Sequence, residues 1–163
     1  AVDIINGLGV YAGLERIFVP GITGFFDTNY RGKGEYGVNS LEKNDLVFIH
    51  VEAIDEAGHM GDVGRKIQAI EDFDEKVVGT VLGGMSHRKD WRVLLLPDHP
   101  TAIALKTHVA EPVPFVLFSA AEQRNNGPVG YNEKDAAKTG VVAKQAFRLM
   151  EALIEGRSTW TET

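Results

Sequence analysis

The chain has 163 residues, 44% of them hydrophobic and 25% charged, the balance of one soluble globular domain. A formal net charge of -6 argues against a nucleic-acid partner or an anionic membrane surface. The absence of cysteine excludes disulfides and thiolate metal sites and suits a reducing cytoplasm.

The N-terminal stretch carries Val2, Ile5, Leu8, Val10, Tyr11 and Leu14 at mixed, mostly three-residue intervals, which predicts an amphipathic helix despite three glycines. It lacks the basic start of a signal peptide, and no uncharged run approaches the ~20 residues of a bilayer span. The chain opens at Ala1, directly in this helical pattern, which suggests a piece of a longer protein. "RIFVPG" predicts a short strand stopped by Pro20 and Gly21, and the Gly- and Asn-rich "GITGFFDTNYRGKGEYG" predicts a loop. A short helix is expected over 36–43.

"DLVFIHVE" is a nearly continuous apolar run, the pattern of a strand buried on both faces. After it, Val63, Ile67, Ile70, Phe73, Val77 and Val81 form one helical stripe, with Asp62 as cap and Gly83-Gly84 as stop. "WRVLLLPDH" and "PVPFVLFSA" predict two further strands. "AAEQRNNGPVGYNEKDAAK" reads as a polar loop, and "TGVVAKQAFRLMEALIEG" as a long amphipathic helix closed by Gly156. Strands alternating with helices predict an α/β fold with a mostly parallel, doubly wound sheet covered on both faces.

The chemistry collects at strand ends. Asp55 and His59 follow the first buried strand, Asp98 and His99 follow the second, and His108 precedes the third. In open α/β sheets, sites form outside the carboxyl ends of the strands. Carboxylates with neutral imidazoles are a ligand set for Zn²⁺, Mn²⁺, Co²⁺ or Mg²⁺. Taken singly, each cluster has a plain structural reading. Asp98-His99 reads as a strand-end turn, Asp55 and His59 as surface residues, and His108 as a hydrogen-bonded loop histidine. Together, flanking strands of one predicted sheet, they favour a metal site. Glu52, Glu56 and Asp62 read as supporting or capping groups, His50 as a core residue and His87 as an exposed turn. By composition, Arg31 and Lys33 read as solvated.

The segments "HVEAIDEAGHMGD…RKIQAIEDFDEKVV", "LLLPDHPTAIALKTHVAEPVPF" and "VDIINGLGVYAGL…VPGITGFFDTNYRGK" closely resemble the archaeal-type branch of the cofactor-independent phosphoglycerate mutases, in the alkaline phosphatase superfamily. The likeness runs from about the first residue to the last helix. It implies an alkaline-phosphatase-like three-layer fold, incomplete here, with residues 1–163 the C-terminal part of the metal-binding domain. It implies interconversion of 3- and 2-phosphoglycerate through a phosphoserine, with two divalent ions, Mn²⁺ first, and no 2,3-bisphosphoglycerate requirement. By resemblance, Asp55, His59 and His108 bind one metal and Asp98 and His99 part of the other, while Lys33 stabilises the transferring phosphoryl group.

The family's nucleophilic serine and a further aspartate belong to an N-terminal segment and are not among these residues. Ser40, Ser86, Ser119 and Ser158 all lack its setting. The implied partners are a small phosphorylated substrate and either a second copy or the absent N-terminal part. Nucleic acid and membrane are not expected, and the implied location is the cytoplasm. Related phosphotransferases or phosphatases, such as the homoserine-kinase-like branch, and a non-catalytic role are the rival readings.

Overall fold

The computed structural model describes residues 2–122 and 130–156, so Ser158 and part of the polar segment after Ala120 lie outside the described residues. The chain divides into two units, one of residues 1–87 with 101–108 and one of residues 88–100 with 109–163.

The first unit begins with the predicted helix, α1 (Val2–Tyr11), whose Ile4, Leu8, Val10 and Tyr11 are exposed. Helix α2 (Tyr30–Ser40) starts six residues before the expected position, inside the predicted loop. Asn29 caps it, its side-chain oxygen accepting from the Gly32 N–H at 2.8 Å. The glycines that suggest a loop are buried in this helix and serve packing. A Cβ on Gly34 would lie 2.9 Å from the Thr80 Cβ, and one on Gly37 2.6 Å from the Ile49 Cδ1.

The two strands expected over 16–21 and 45–52 are corrected, because neither joins a sheet among the described residues. A strand is defined by its ladder, and an apolar run without a neighbouring strand forms none. Ile49 and Val51 nevertheless pack on the core, while His50 is only half-buried.

Helix α3 (Ala53–Met60) ends at Gly61, which takes the left-handed conformation at φ 71°. Asp62 then caps α4 (Val63–Phe73) as expected, accepting from the Arg65 N–H at 2.9 Å. A π-helical turn (Asp74–Val78) leads into α5 (Gly79–Met85), which runs through the expected glycine stop. That turn breaks the predicted stripe. A π-turn holds one residue more than an α-helix would, so the face beyond it is rotated by roughly 100°. Val77 therefore aligns with Ala69 and Phe73 toward the core, whereas Ile67 and Ile70 stay 53% and 47% exposed. The core of this unit is Tyr30, Ala53, Ala69 and Val77, flanked by Phe26, Ile49, Val51, Ile54 and Phe73. Strands β2 (Thr101–Ala102) and β3 (Thr107–His108) close the unit as an antiparallel hairpin with Thr101 opposite His108.

In the second unit, β1 (Arg92–Leu95) and β4 (Val116–Ser119) form on the two predicted apolar runs and pair antiparallel. Trp91 packs on Phe118 with ring centroids 5.2 Å apart. Both ladders among the described residues are antiparallel, and the expected parallel pairing is not among them. The presumed polar loop contains a helix, α6 (Glu133–Lys138), capped by Asn132. The long last helix is corrected to a 3₁₀ turn (Ala146–Arg148) and α7 (Leu149–Glu155). Gly140, at φ 68°, ends α6 instead of opening the next helix. Gly156 closes α7 as expected, and the Arg92 guanidinium donates to the Leu153 and Ile154 carbonyls at its end.

Candidate metal centre

Asp55 and His59 stand one turn apart on α3, and an i, i+4 spacing puts both on one face. The Asp55 Oδ2 lies 3.3 Å from the His59 Nε2. The β2–β3 hairpin brings His108 to the same point, its Nε2 3.4 Å from the Asp55 Oδ1 and 3.0 Å from the His59 Nε2. One carboxylate and two imidazole nitrogens thus converge on a space the size of an ion. All three side chains keep an open side toward solvent. A three-residue N/O set with an open side is the pattern that holds a divalent cation and leaves positions for substrate oxygens. The three residues that the sequence singled out are brought together.

What fixes them was not foreseen. The Thr101 hydroxyl, on a residue only 4% exposed, donates to the Asp55 Oδ1 and orients the carboxylate. Thr101 comes this close because Gly58, on the same helical turn, has no Cβ; one would lie 2.7 Å from the Thr101 carbonyl oxygen. The Lys66 Nζ donates to that oxygen at 2.5 Å. Across the site, the His59 Nδ1 lies 3.0 Å from the Lys106 carbonyl oxygen. A threonine two residues beyond Asp98-His99 was the available signal for the first contact. A backbone carbonyl gives no sequence signal for the second.

Asp98 and His99 lie together in the second unit, on the turn after β1. The Asp98 Oδ1 accepts the His99 N–H at 3.0 Å, and its Oδ2 lies 3.3 Å from the His99 Nε2. Lys33 lies on α2, half-buried, and its Nζ donates to the His50 carbonyl at 2.7 Å. Burial holds its ammonium pKa below the usual 10.5, against an opposing pull from Glu52. Asp62 is confirmed as a cap, while Glu52 precedes α3 without a side-chain cap bond. Ser40 ends α2, Ser86 follows α5 and Ser119 ends β4.

The chain is 55% identical over 157 residues to the 2,3-bisphosphoglycerate-independent phosphoglycerate mutase of Methanothrix thermoacetophila, covering 96% of this chain and 40% of that protein. It is 46% identical over 155 residues to 2,3-bisphosphoglycerate-independent phosphoglycerate mutase 2 of Methanothermobacter thermautotrophicus, covering 95% and 38%. The chain therefore spans about two fifths of the length of the curated relatives it matches. Its fold matches the solved structure of the PH0037 protein from Pyrococcus horikoshii with a TM-score of 0.84 at 23% identity, over all of this chain and 48% of that one. The profile of the Metalloenzyme superfamily matches residues 2–154, nearly the whole length, and with its α/β, alkaline-phosphatase-like fold the chain belongs to that superfamily.

Proposed function

We propose that the protein to which this chain contributes is a phosphoglycerate mutase that interconverts 3- and 2-phosphoglycerate without 2,3-bisphosphoglycerate. The observation that carries the reading is the meeting of Asp55, His59 and His108 in a chain so close to proteins of that name. In this reading these three side chains hold one divalent cation, and Asp98 and His99 contribute to a second. A bound divalent ion, Mn²⁺ first and Zn²⁺, Co²⁺ or Mg²⁺ otherwise, supplies Lewis-acid stabilisation of a transferring phosphoryl group. Thr101 fixes the angle of the Asp55 carboxylate, and the two imidazoles present Nε2. Lys33 offers a half-buried ammonium whose charge would stabilise negative oxygens. The phosphorylated serine and the substrate-selecting domain belong to the part of the enzyme outside this chain.

That missing part is also the proposed partner of the exposed apolar surface. Val63, Ile67 and Ile70 on α4, and Ile4 and Leu8 on α1, are the kind of uncovered faces that associate. The proposed setting is the cytoplasm, and no helix of the described residues is long and apolar enough to cross a membrane.

Two measurements test the reading. Isothermal titration of the metal-free chain with Mn²⁺ and Zn²⁺ should show about one equivalent bound, lost in both Asp55→Ala and His108→Ala. The full-length enzyme should convert 3-phosphoglycerate faster than other phosphomonoesters, and should not phosphorylate L-homoserine. Binding that survives both substitutions overturns the site, and preference for another substrate overturns the activity.

A further inference from the structure

Thr101 is held from two helices. Its hydroxyl donates to the Asp55 Oδ1 on α3, and its carbonyl accepts from the Lys66 Nζ on α4 at 2.5 Å. It also stands opposite His108 in the β2–β3 pairing, so whatever fixes Thr101 fixes one imidazole of the site as well. We propose that Lys66 is a positioning residue whose ammonium ties β2 to α4 and so holds Thr101 and His108 in place against Asp55. The inference rests on the reading of Asp55, His59 and His108 as a cation site.

The lysine starts from a fixed backbone. It lies near the start of α4, and its N–H donates to the carbonyl of the Asp62 cap at 3.0 Å. The same helix packs on α3 and buries Ala69 in the core. The hairpin has no such support of its own. Each of its strands is two residues long, and so short a pairing is marginal in water without an outside hold.

An ammonium on a carbonyl is a charge-assisted bond, stronger than a neutral one. Lys66 is half-buried and Thr101 only 4% exposed, so solvent screens this bond less than it does a surface ion pair. Gly58, on α3, lets the strand approach without gripping it. The grip comes from α4.

The full chain has no cysteine, so a single one can be installed and modified cleanly. Mn²⁺ affinity is measured by calorimetry in the wild type, in Lys66→Met, which keeps the stem and removes the donor, and in Lys66→Cys before and after treatment with 2-bromoethylamine. In that treatment the thiolate displaces bromide, and the new thioether carries an ammonium at the reach of the lost lysine. Lys66→Met and the unmodified cysteine chain should bind Mn²⁺ about tenfold more weakly, and aminoethylation should restore wild-type affinity. Amide hydrogen exchange in the metal-free chains is the second readout. The Leu105 and Lys106 N–H groups, which close the hairpin on the Ala102 carbonyl, should exchange faster in Lys66→Met and at the wild-type rate after aminoethylation. Lys76→Met, which removes an ammonium paired with Asp72, should change neither.

Unchanged affinity in Lys66→Met overturns the proposal, even with faster exchange, because Lys66 is then a fold contact alone. An aminoethylated chain that binds no better than the unmodified cysteine chain overturns it too. Should Lys66→Met fail to fold, the cysteine chain before and after modification decides. Exchange is read without metal, so a hairpin that loosens in Lys66→Met, in a chain whose wild type binds no Mn²⁺, overturns the cation reading and leaves the tie between β2 and α4 intact.

Discussion

Gly58 offers a sharp test of how the site is held. It lies on α3 between Asp55 and His59, and its missing Cβ admits Thr101. In Gly58→Ala the new methyl would meet the Thr101 carbonyl oxygen at 2.7 Å, Cγ2 at 2.8 Å and Cβ at 2.9 Å. Ordinary contact begins near 3.4 Å, so β2 must retreat by about 0.7 Å. The obstacle is backbone paired with His108, not a side-chain tip that could swing aside. Overpacking of this kind costs about 1–3 kcal/mol. Alanine in a helix gains about 1 kcal/mol over glycine, which partly masks the loss.

The control is Gly83→Ala on α5, where nothing lies within 4 Å and only the helical gain is felt. With the helical gain common to both, the two variants should differ in urea-unfolding free energy by about 1–3 kcal/mol. The displaced β2 also draws the Thr101 hydroxyl from Asp55, so Mn²⁺ affinity should fall about tenfold in Gly58→Ala alone. Equal stabilities together with unchanged affinity would refute the packing argument.

Three further outcomes are expected. Thr101→Val keeps the shape and loses the hydroxyl on Asp55, so calorimetry should show Mn²⁺ binding about tenfold weaker, with Thr101→Ser close to wild type; equal affinity for valine would remove the orienting role. Lys33 has its folded pKa lowered by burial, so the unfolded chain binds more protons between that value and the ordinary 10.5. Stability relative to Lys33→Met should therefore rise as pH climbs through that window toward 10.5, and a flat difference in urea titrations would contradict it. Asp62→Ala should cost about 1 kcal/mol of unfolding free energy through loss of the α4 cap, while Asp62→Asn stays near wild type; a harmless alanine would show that the cap contributes nothing.

The legible parts of the sequence were those with local causes. The Asp62 cap, the Gly156 stop and the first helix were all readable from a few adjacent residues. So was the meeting of Asp55 and His59, because they share a helical face by spacing alone. His108 was placed there by resemblance, and the hairpin explains how it arrives. What misled the reading was non-local. The run 45–52 has the composition of a buried strand, but a ladder depends on a neighbour that composition does not reveal. The π-turn changed which residues of one apolar stripe meet the core, a change set by backbone hydrogen bonding and not by residue type. Thr101 and the Lys106 carbonyl escaped notice because a hydroxyl and a backbone oxygen acquire their roles only from what lies opposite them.

The three buried glycines of α2 carry a consequence for Lys33. Each costs about 1 kcal/mol of helical preference against alanine, and an isolated eleven-residue segment with three of them would not hold a helix in water. The segment coils only when it docks on Val77, Thr80 and Ile49, which the absent side chains allow it to approach. The position of the lysine is thus inherited from neutral neighbours distant in sequence. A bulkier residue at 80 would dislodge the ammonium without touching a single charge, and helix formation and charge placement would fail in one step.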